Sequence, residues 1–378
     1  MHLYCYLDFE SYENFIKCDG MILLDNIIFE LQKAGGVSLV WKHVIEACLL
    51  RSNLEFKALD SGKGYNNIFY PKGLCAEHLI EDRSKKILRR YRDVSCLGNF
   101  EVFHSSYFRV HSSPLVKNVV TVHDFIYEKY YSGIKKVIHL QQKNHALKNA
   151  SAVICVSNNT KNDLLEYHPW IDEEKVHVIY NGVDPQFHEA RTVAFKDIFK
   201  NPYIMFIGRR EVYKNFQYAL DLLETKAARD LDLTLKVVGG GMFTRSEQEY
   251  LLEKGLSKRV QIVAYPSDKE LRSLYASAFA FIYPSFYEGF GIPPLEAMAV
   301  GCPVICSNTS SIPEVVGNAG LYIDPRSLSQ GEQYLMKLCD ADFRQKVIDQ
   351  GVDQSFRFSW DETGSNTIAL YENLLGQE

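Results

Sequence analysis

No apolar run in this 378-residue chain approaches the roughly 18 residues that a spanning helix needs, so any membrane contact is expected to be peripheral. Nine cysteines contain no Cys-x-x-Cys pair and no metal-finger spacing. Their odd number, with no signal peptide in view, predicts free and mostly buried thiols in a reducing cytoplasm. Cys302 and Cys306 flank Pro-Val-Ile in a predicted strand, which favours the core over ligation. A dehydrogenase-type G-x-G-x-x-G is missing. A net charge of only −5 excludes the chain as a whole as a polyanion binder. The D-x-D at Asp340-Ala-Asp342 lies in the C-terminal helical region, where a solvated helix start explains it without a metal.

What is present describes a soluble globular protein. Apolar residues make up 46% and charged residues 24%, and the length suits two domains of ordinary size. Residues 1–20 carry no clear period; they are either an ordered extension or sequence preceding a start at Met21. The segments Met21–Asp25, Val102–Ser105, Val119–Asp124 and Ala152–Ser157 read as strands, each followed by polar or helical sequence. A second series follows at Tyr203–Gly208, Leu233–Val238, Val260–Ala264 and Ala278–Tyr283. Strands alternating with helical patterns predict two doubly wound parallel sheets. The first domain is placed at 1–188 and the second at 189–357. The patternless stretch 185–200 serves as linker, and residues 358–378 form a terminal helix.

The densest chemistry lies in Tyr283-Pro-Ser-Phe-Tyr-Glu-Gly-Phe-Gly-Ile-Pro-Pro-Leu-Glu-Ala-Met-Ala299: a strand end, a glycine loop and a short helix. Prolines suit a first helical turn, and a helix N-terminus beside glycines is an anion site. Glu288 and Glu296 lie eight positions apart on it. Gly35-Gly36 precedes another helix and could admit a phosphate or simply make a tight turn. His123, Asp124 and Ser157 end strands at the expected ligand edge. Arg209 and Lys214 follow a strand and could clamp a diphosphate, or be solvated surface cations.

Charge is unevenly spread. Between Arg83 and Lys148 there are thirteen Lys/Arg against four Asp/Glu, a local +9. Two basic helices are predicted there, Arg83–Arg92 and Ile134–Lys148. They suit an anionic membrane surface or a diphosphate-bearing acceptor, with a solvated helix face as the plain alternative. No stacking aromatics or known binding module accompanies them, so nucleic acid is not an expected partner.

These motifs, in this order, resemble the GT-B glycosyltransferases, specifically the retaining, sugar-nucleotide-dependent family 4. The resemblance rests on Gly35-Gly36, Thr121-Val-His-Asp124, Ser157 with Thr160, Tyr180-Asn-Gly-Val183 and Gly208-Arg209. It continues in Lys214-Asn215, the stretch Pro284–Val304 with its E-x7-E element, Ser310–Val315 and Asn318–Pro325. It implies two Rossmann-like domains facing a cleft, with the final helix crossing back to the N-domain and Trp360 packing at that crossing.

It further implies a nucleotide-diphosphate sugar (GDP-, UDP- or dTDP-linked) as donor, with no metal and no cofactor required. Arg209 and Lys214 would neutralise the departing diphosphate. The N–H groups of Gly289, Phe290 and Gly291, with Ile292 beside them, would hold the sugar. Glu288 would bind the sugar near its reacting carbon and Glu296 the ribose diol, Gly35 and Gly36 would close on the phosphates, and His123 would face them from the opposite wall.

The expected function is transfer of a hexose, mannose favoured, to a lipid-diphosphate-linked glycan in O-antigen or capsular polysaccharide synthesis. The enzyme would work in the cytoplasm, peripherally on the inner face of the membrane. A noncatalytic nucleotide-sugar-binding protein and an epimerase of the same fold are the alternatives. A hydrolase would also use two carboxylates, but here both sit on one loop-helix segment among phosphate-binding features.

Overall fold

The computed structural model describes residues 21–61, 66–82, 86–96, 98–190 and 195–376. The extension at 1–20, and Arg83 and Lys85 of the first basic cluster, lie outside the described residues.

Two all-parallel sheets form the architecture. The first has seven strands: β1 Met21–Asp25, β2 Phe56–Asp60, β3 Leu79–Glu81, β4 Phe100–Ser105, β5 Lys117–Val122, β6 Ala150–Cys155 and β7 Val176–Val178. They are ordered β3-β2-β1-β4-β5-β6-β7. The second has six: β8 Tyr203–Ile207, β9 Thr234–Val238, β10 Val260–Val263, β11 Ala280–Tyr283, β12 Val304–Ser307 and β13 Leu321–Ile323, ordered β10-β9-β8-β11-β12-β13. The two orders are the same, each winding outward from its first strand and then reversing. Each sheet therefore has a switch point, β1/β4 in one and β8/β11 in the other, where loops part and a ligand crevice opens.

Apolar runs become strands because both sheet faces are covered. In β11, every residue of Ala-Phe-Ile-Tyr is buried. Tyr275, Phe281 and Tyr283 pack with Leu295 and Met298 of the helix Ile292–Ala299 on one face. Phe206, Phe279 and Ile282 pack with Leu220 and Leu223 on the other. Cys302 and Cys306 are buried in this core as expected.

The final helix Trp360–Leu375 packs on the first sheet's side. Its entry is fixed by the bridge between Val183 and Ser359 and by Trp360 stacked on His43 at 4.2 Å. Tyr371 Oη meets His104 Nδ1 at 2.5 Å, and Lys117 Nζ donates to the Leu374 carbonyl at 2.6 Å. Asp340 caps the helix Ala341–Ser355 by accepting from Phe343 N–H, which is the role expected of that D-x-D.

Three expectations need correction. β2 and β3 are additional strands at one edge of the first sheet. The patternless 185–200 stretch holds single-turn helices at Gln186–Glu189 and Phe195–Ile198. Among the described residues of the Arg83–Arg92 segment, helix is confined to Lys86–Arg89, and Arg89 is buried. Arg89 pairs with Glu30 at 2.5 Å and Asp82 at 3.4 Å, so it belongs to a buried network and not to a surface patch. The second basic helix, Gly133–Lys148, exists and exposes Ile134 (75%), Val137 (51%) and Ile138 (37%) beside Lys135. Among the described residues, no helix is long and apolar enough to cross a membrane.

Candidate active site

The segments that leave both switch points meet in the cleft between the sheets. After β11 the chain turns through Ser285–Gly291 into the helix Ile292–Ala299. Gly291, at φ 132°, makes a turn that side-chain-bearing residues rarely adopt, and prolines occupy the first helical positions. Hydroxyls fix the loop. Ser285 Oγ donates to Glu288 Oε1 at 2.7 Å, and Glu288 N–H donates to Ser310 Oγ at 2.9 Å. Ser311 Oγ donates to the carbonyls of Glu288 and Phe290 at 2.8 and 2.7 Å. The N–H groups of Gly289, Phe290 and Gly291 find no acceptor among the described residues. Three successive backbone donors are thus left for something outside the chain.

After β8, Lys214 reaches back to this loop, its Nζ 2.8 Å from Glu288 Oε1. Asn215 holds that corner in the left-handed region (φ 53°), its amide donating to the carbonyls of Pro284 and Pro325. Arg209 behaves differently. Its side chain is 78% exposed and lies 3.6 Å from Glu211 Oε1. The expected two-cation clamp is therefore not assembled: Lys214 is bound to Glu288, and Arg209 stands at the cleft mouth.

The other wall comes from the first sheet. Gly35 and Gly36, Arg90, Tyr107, His123 and Arg209 line a cavity of about 440 Å³. A Cβ on Gly36 would stand 4.0 Å from Ile292 Cδ1, so the two glycine loops face each other. Burial, helped by the Lys143 ammonium, pushes His123 down to about 4, which leaves the imidazole neutral at ordinary pH. Lys214, Glu288 and Glu296 are not on this cavity's wall.

Glu296 sits one helical stretch beyond the loop. Its Oε2 accepts from Tyr275 Oη at 3.1 Å, and burial raises its carboxyl to about 8. The expected pair of free carboxylate oxygens is thus replaced by a group that is mostly protonated at neutral pH, with one oxygen already engaged.

Side-chain contacts join the two walls, some through residues already singled out in the sequence and some through residues that were not. Ser157 and Thr160, which end a strand and open the helix Asn158–Tyr167, both donate to the Gly289 carbonyl, at 2.7 and 3.0 Å. Glu314 accepts from the N–H groups of Asn158 and Asn159 at that helix's start, and from Tyr180 Oη at 2.7 Å. Tyr287 Oη donates to Asp163 at 2.5 Å, and Tyr131 Oη to Glu211 Oε2 at 2.6 Å. All of these contacts cross between the sheet halves, and Tyr, Asp and Glu carry no periodic pattern that would flag them.

The comparisons with known proteins bear on this geometry. Residues 64–187 match the family described as Glycosyltransferase Family 4, and residues 192–351 match Glycosyl transferases group 1. Together they take in most of the chain, one match for each sheet. The chain belongs to the family 4 glycosyltransferases.

Similarity to curated members is partial. Escherichia coli O-antigen chain mannosyltransferase B is 37% identical over 179 residues, covering 46% of each chain. Salmonella typhimurium O-antigen chain mannosyltransferase RfbU is 34% identical over 218 residues, covering 57% of this chain and 59% of its own. The chain thus spans about half the length of these relatives. The crystal structure of Anabaena HepE in complex with UDP and glucose superposes with a TM-score of 0.68 at 18% identity, over 93% of this chain and 99% of that one. At that identity the likeness shows the fold, which is GT-B.

Proposed function

We propose that this family 4 chain is a retaining glycosyltransferase that moves a hexose, mannose favoured, from a nucleotide-diphosphate sugar to a lipid-diphosphate-linked glycan in O-antigen or capsular polysaccharide assembly. The observation that carries the reading is the loop Glu288–Gly291. Three free N–H groups lie beside a carboxylate that is paired with an ammonium, at the C-terminal edge of a parallel sheet. That set fits a sugar attached to a diphosphate better than it fits a hydrolase's two opposed carboxylates. The mannose and O-antigen assignments rest on the names of the partial relatives.

In this reading the N–H groups of Gly289, Phe290 and Gly291 take the sugar's hydroxyls. Glu288 stays near the reacting carbon, where its charge favours an oxocarbenium-like centre. The Lys214 ammonium has three donors, so it can hold Glu288 and a phosphate oxygen together. Arg209 joins it from the cleft mouth as negative charge grows on the departing diphosphate. Neutral His123 contacts the sugar or acceptor as a hydrogen-bonding group and not as a cation. The leaving phosphate takes the acceptor's proton, so no protein base and no metal is assigned. Gly35 and Gly36 leave room for phosphate, and Glu296 holds the ribose.

Peripheral attachment to the cytoplasmic face of the membrane is assigned to the helix Gly133–Lys148. Its exposed Ile134, Val137 and Ile138 beside Lys135 support this, whereas Arg89 of the other basic cluster is buried and paired with Glu30.

The test is calorimetric binding of GDP-, UDP- and dTDP-sugars, followed by transfer of labelled sugar to a lipid-diphosphate glycan and NMR of the new linkage. One nucleotide sugar should bind and be transferred with its anomeric configuration kept. Binding without transfer to any acceptor would favour the noncatalytic alternative, and an inverted linkage would remove the retaining mechanism.

A further inference from the structure

We propose that Arg90 anchors an anion subsite on the acceptor wall of the cleft, and that it takes a phosphate carried close to the accepting hydroxyl. This rests on the reading above and sharpens it: the acceptor is short, with its own diphosphate entering the cleft.

Of the arginines Arg89, Arg90 and Arg109, two are satisfied by carboxylates. Arg89 pairs with Glu30 and Asp82, and Arg109 with Asp25 at 3.0 Å and Asp82 at 3.1 Å. Arg90 has no carboxylate partner among the described residues, and its Nε is buried without any hydrogen-bond partner. The buried Nε carries an uncompensated desolvation cost, and the half-buried guanidinium as a whole has no carboxylate to neutralise it among the described residues.

The residue is nevertheless held in place. Gln142 Nε2 donates to its carbonyl at 2.6 Å, its Nη2 donates to Tyr107 Oη at 3.0 Å, and the guanidinium lies 5.1 Å from the Tyr107 ring centre. Behind it the wall is a stack of rings, with Tyr127 on His139 at 3.9 Å and Tyr131 on Tyr127 at 4.4 Å. Tyr107 Oη also lies 3.2 Å from His139 Nδ1, which ties it to the ring stack. Burial pushes His139 down to about 3, so the ring is neutral.

The competing anions of the cavity are already engaged. Glu211 accepts from Tyr131 and lies near Arg209, and Asp124 Oδ1 accepts from Ile126 N–H at 3.0 Å.

A planar fork of this kind matches phosphate oxygens two at a time. Arg90 and His123 line the same small cavity, of about 440 Å³. A phosphate on Arg90 would then share one pocket of small-ligand size with whatever group of the acceptor meets His123.

The experiment compares one disaccharide in two forms, as a short polyprenyl diphosphate and as an octyl glycoside. Their binding to the nucleotide-loaded protein and their elongation are both measured, for the wild type, Arg90→Gln and Arg90→Lys. The wild type should bind the diphosphate form roughly 10- to 100-fold more tightly, the span of one or two charge-assisted contacts. Arg90→Gln should abolish that preference, raise KM for the diphosphate acceptor alone and leave the octyl acceptor and donor affinity unchanged. Arg90→Lys should fall between. Equal binding of both forms by the wild type, or equal losses on both in Arg90→Gln, would overturn the subsite. A fall in donor affinity in Arg90→Gln would assign Arg90 to the donor's phosphates instead. A diphosphate preference lost in Arg90→Gln, with no elongation of either acceptor by the wild type, would uphold the subsite and sink the transferase reading alone.

Discussion

A Cβ placed on Gly289 would lie 1.7 Å from the carbonyl oxygen of His123. The loop of one sheet and the strand end of the other therefore touch backbone to backbone, and only glycine permits it. Ser157 and Thr160 donate to the Gly289 carbonyl in the same place. The contact aligns the three free N–H groups of the loop with the N-domain wall. Gly289→Ala should push the halves apart without harming either core. Because misplacement of about 1 Å can cost on the order of 100-fold in rate, transfer should fall by at least that much while the melting temperature changes little. Unchanged kcat/KM in the variant would show that this closed contact is not used in turnover.

Lys214 and Glu288 are a mutually dependent pair, so their variants should differ in kind. Lys214→Ala removes a charge-assisted contact to the donor phosphate, worth about 1.5–3 kcal/mol, and should weaken donor binding roughly 10- to 100-fold. Glu288→Gln keeps the shape and the bond from Ser285, so donor binding should persist while transfer is lost. Calorimetry and initial rates on the two proteins check this. Equal effects of both variants on donor affinity would place Glu288 in binding alone.

Much of this arrangement is legible in sequence, for a physical reason. Strands buried on both faces are continuous apolar runs, and loops near a ligand need glycine, so β11 and the turn into Ile292–Ala299 stand out. β3 does not, because its Leu79-Ile80-Glu81 is only partly buried at a sheet edge. Charge was the misleading signal. Counting residues between Arg83 and Lys148 gives a basic region, but Asp25 and Glu30, which neutralise Arg109 and Arg89, come from the start of the chain. Contacts across the cleft, such as Glu314 on the helix at Asn158, depend on a tertiary approach that no local pattern encodes.

Buried Lys143 supports the His123 corner. Its Nζ donates to the Asp124 carbonyl and to Glu128 Oε1, each at 2.8 Å, while Glu128 Oε2 is buried without a partner. Lys143→Met would leave that carboxylate unpaired, and breaking a buried pair costs about 3–5 kcal/mol. A large drop in melting temperature is expected, partly recovered in the double variant Lys143→Met/Glu128→Gln. If the double variant is no more stable than the single one, the pair is not the reason Lys143 matters.

Glu296 gives a dependence on pH with a definite sign. Its carboxyl lies at about 8 in the folded chain against an ordinary 4.5, because burial disfavours the charge. The folded state therefore binds this proton more tightly than the unfolded state does. The stabilisation is fully present below about 4.5 and is lost as pH rises through about 8. Glu296→Gln should remove that part of the decline, so the variant gains on the wild type in melting temperature between pH 5 and pH 9. Donor binding offers a second reading of the same group. If the ribose diol is held by the ionised carboxylate, binding at pH 7 must expel the proton. Calorimetry in buffers of different ionisation enthalpy would then show proton release, and affinity would climb with pH up to about 8. A binding enthalpy independent of buffer would mean that the neutral carboxyl, donating its own proton, is the form that holds the nucleotide.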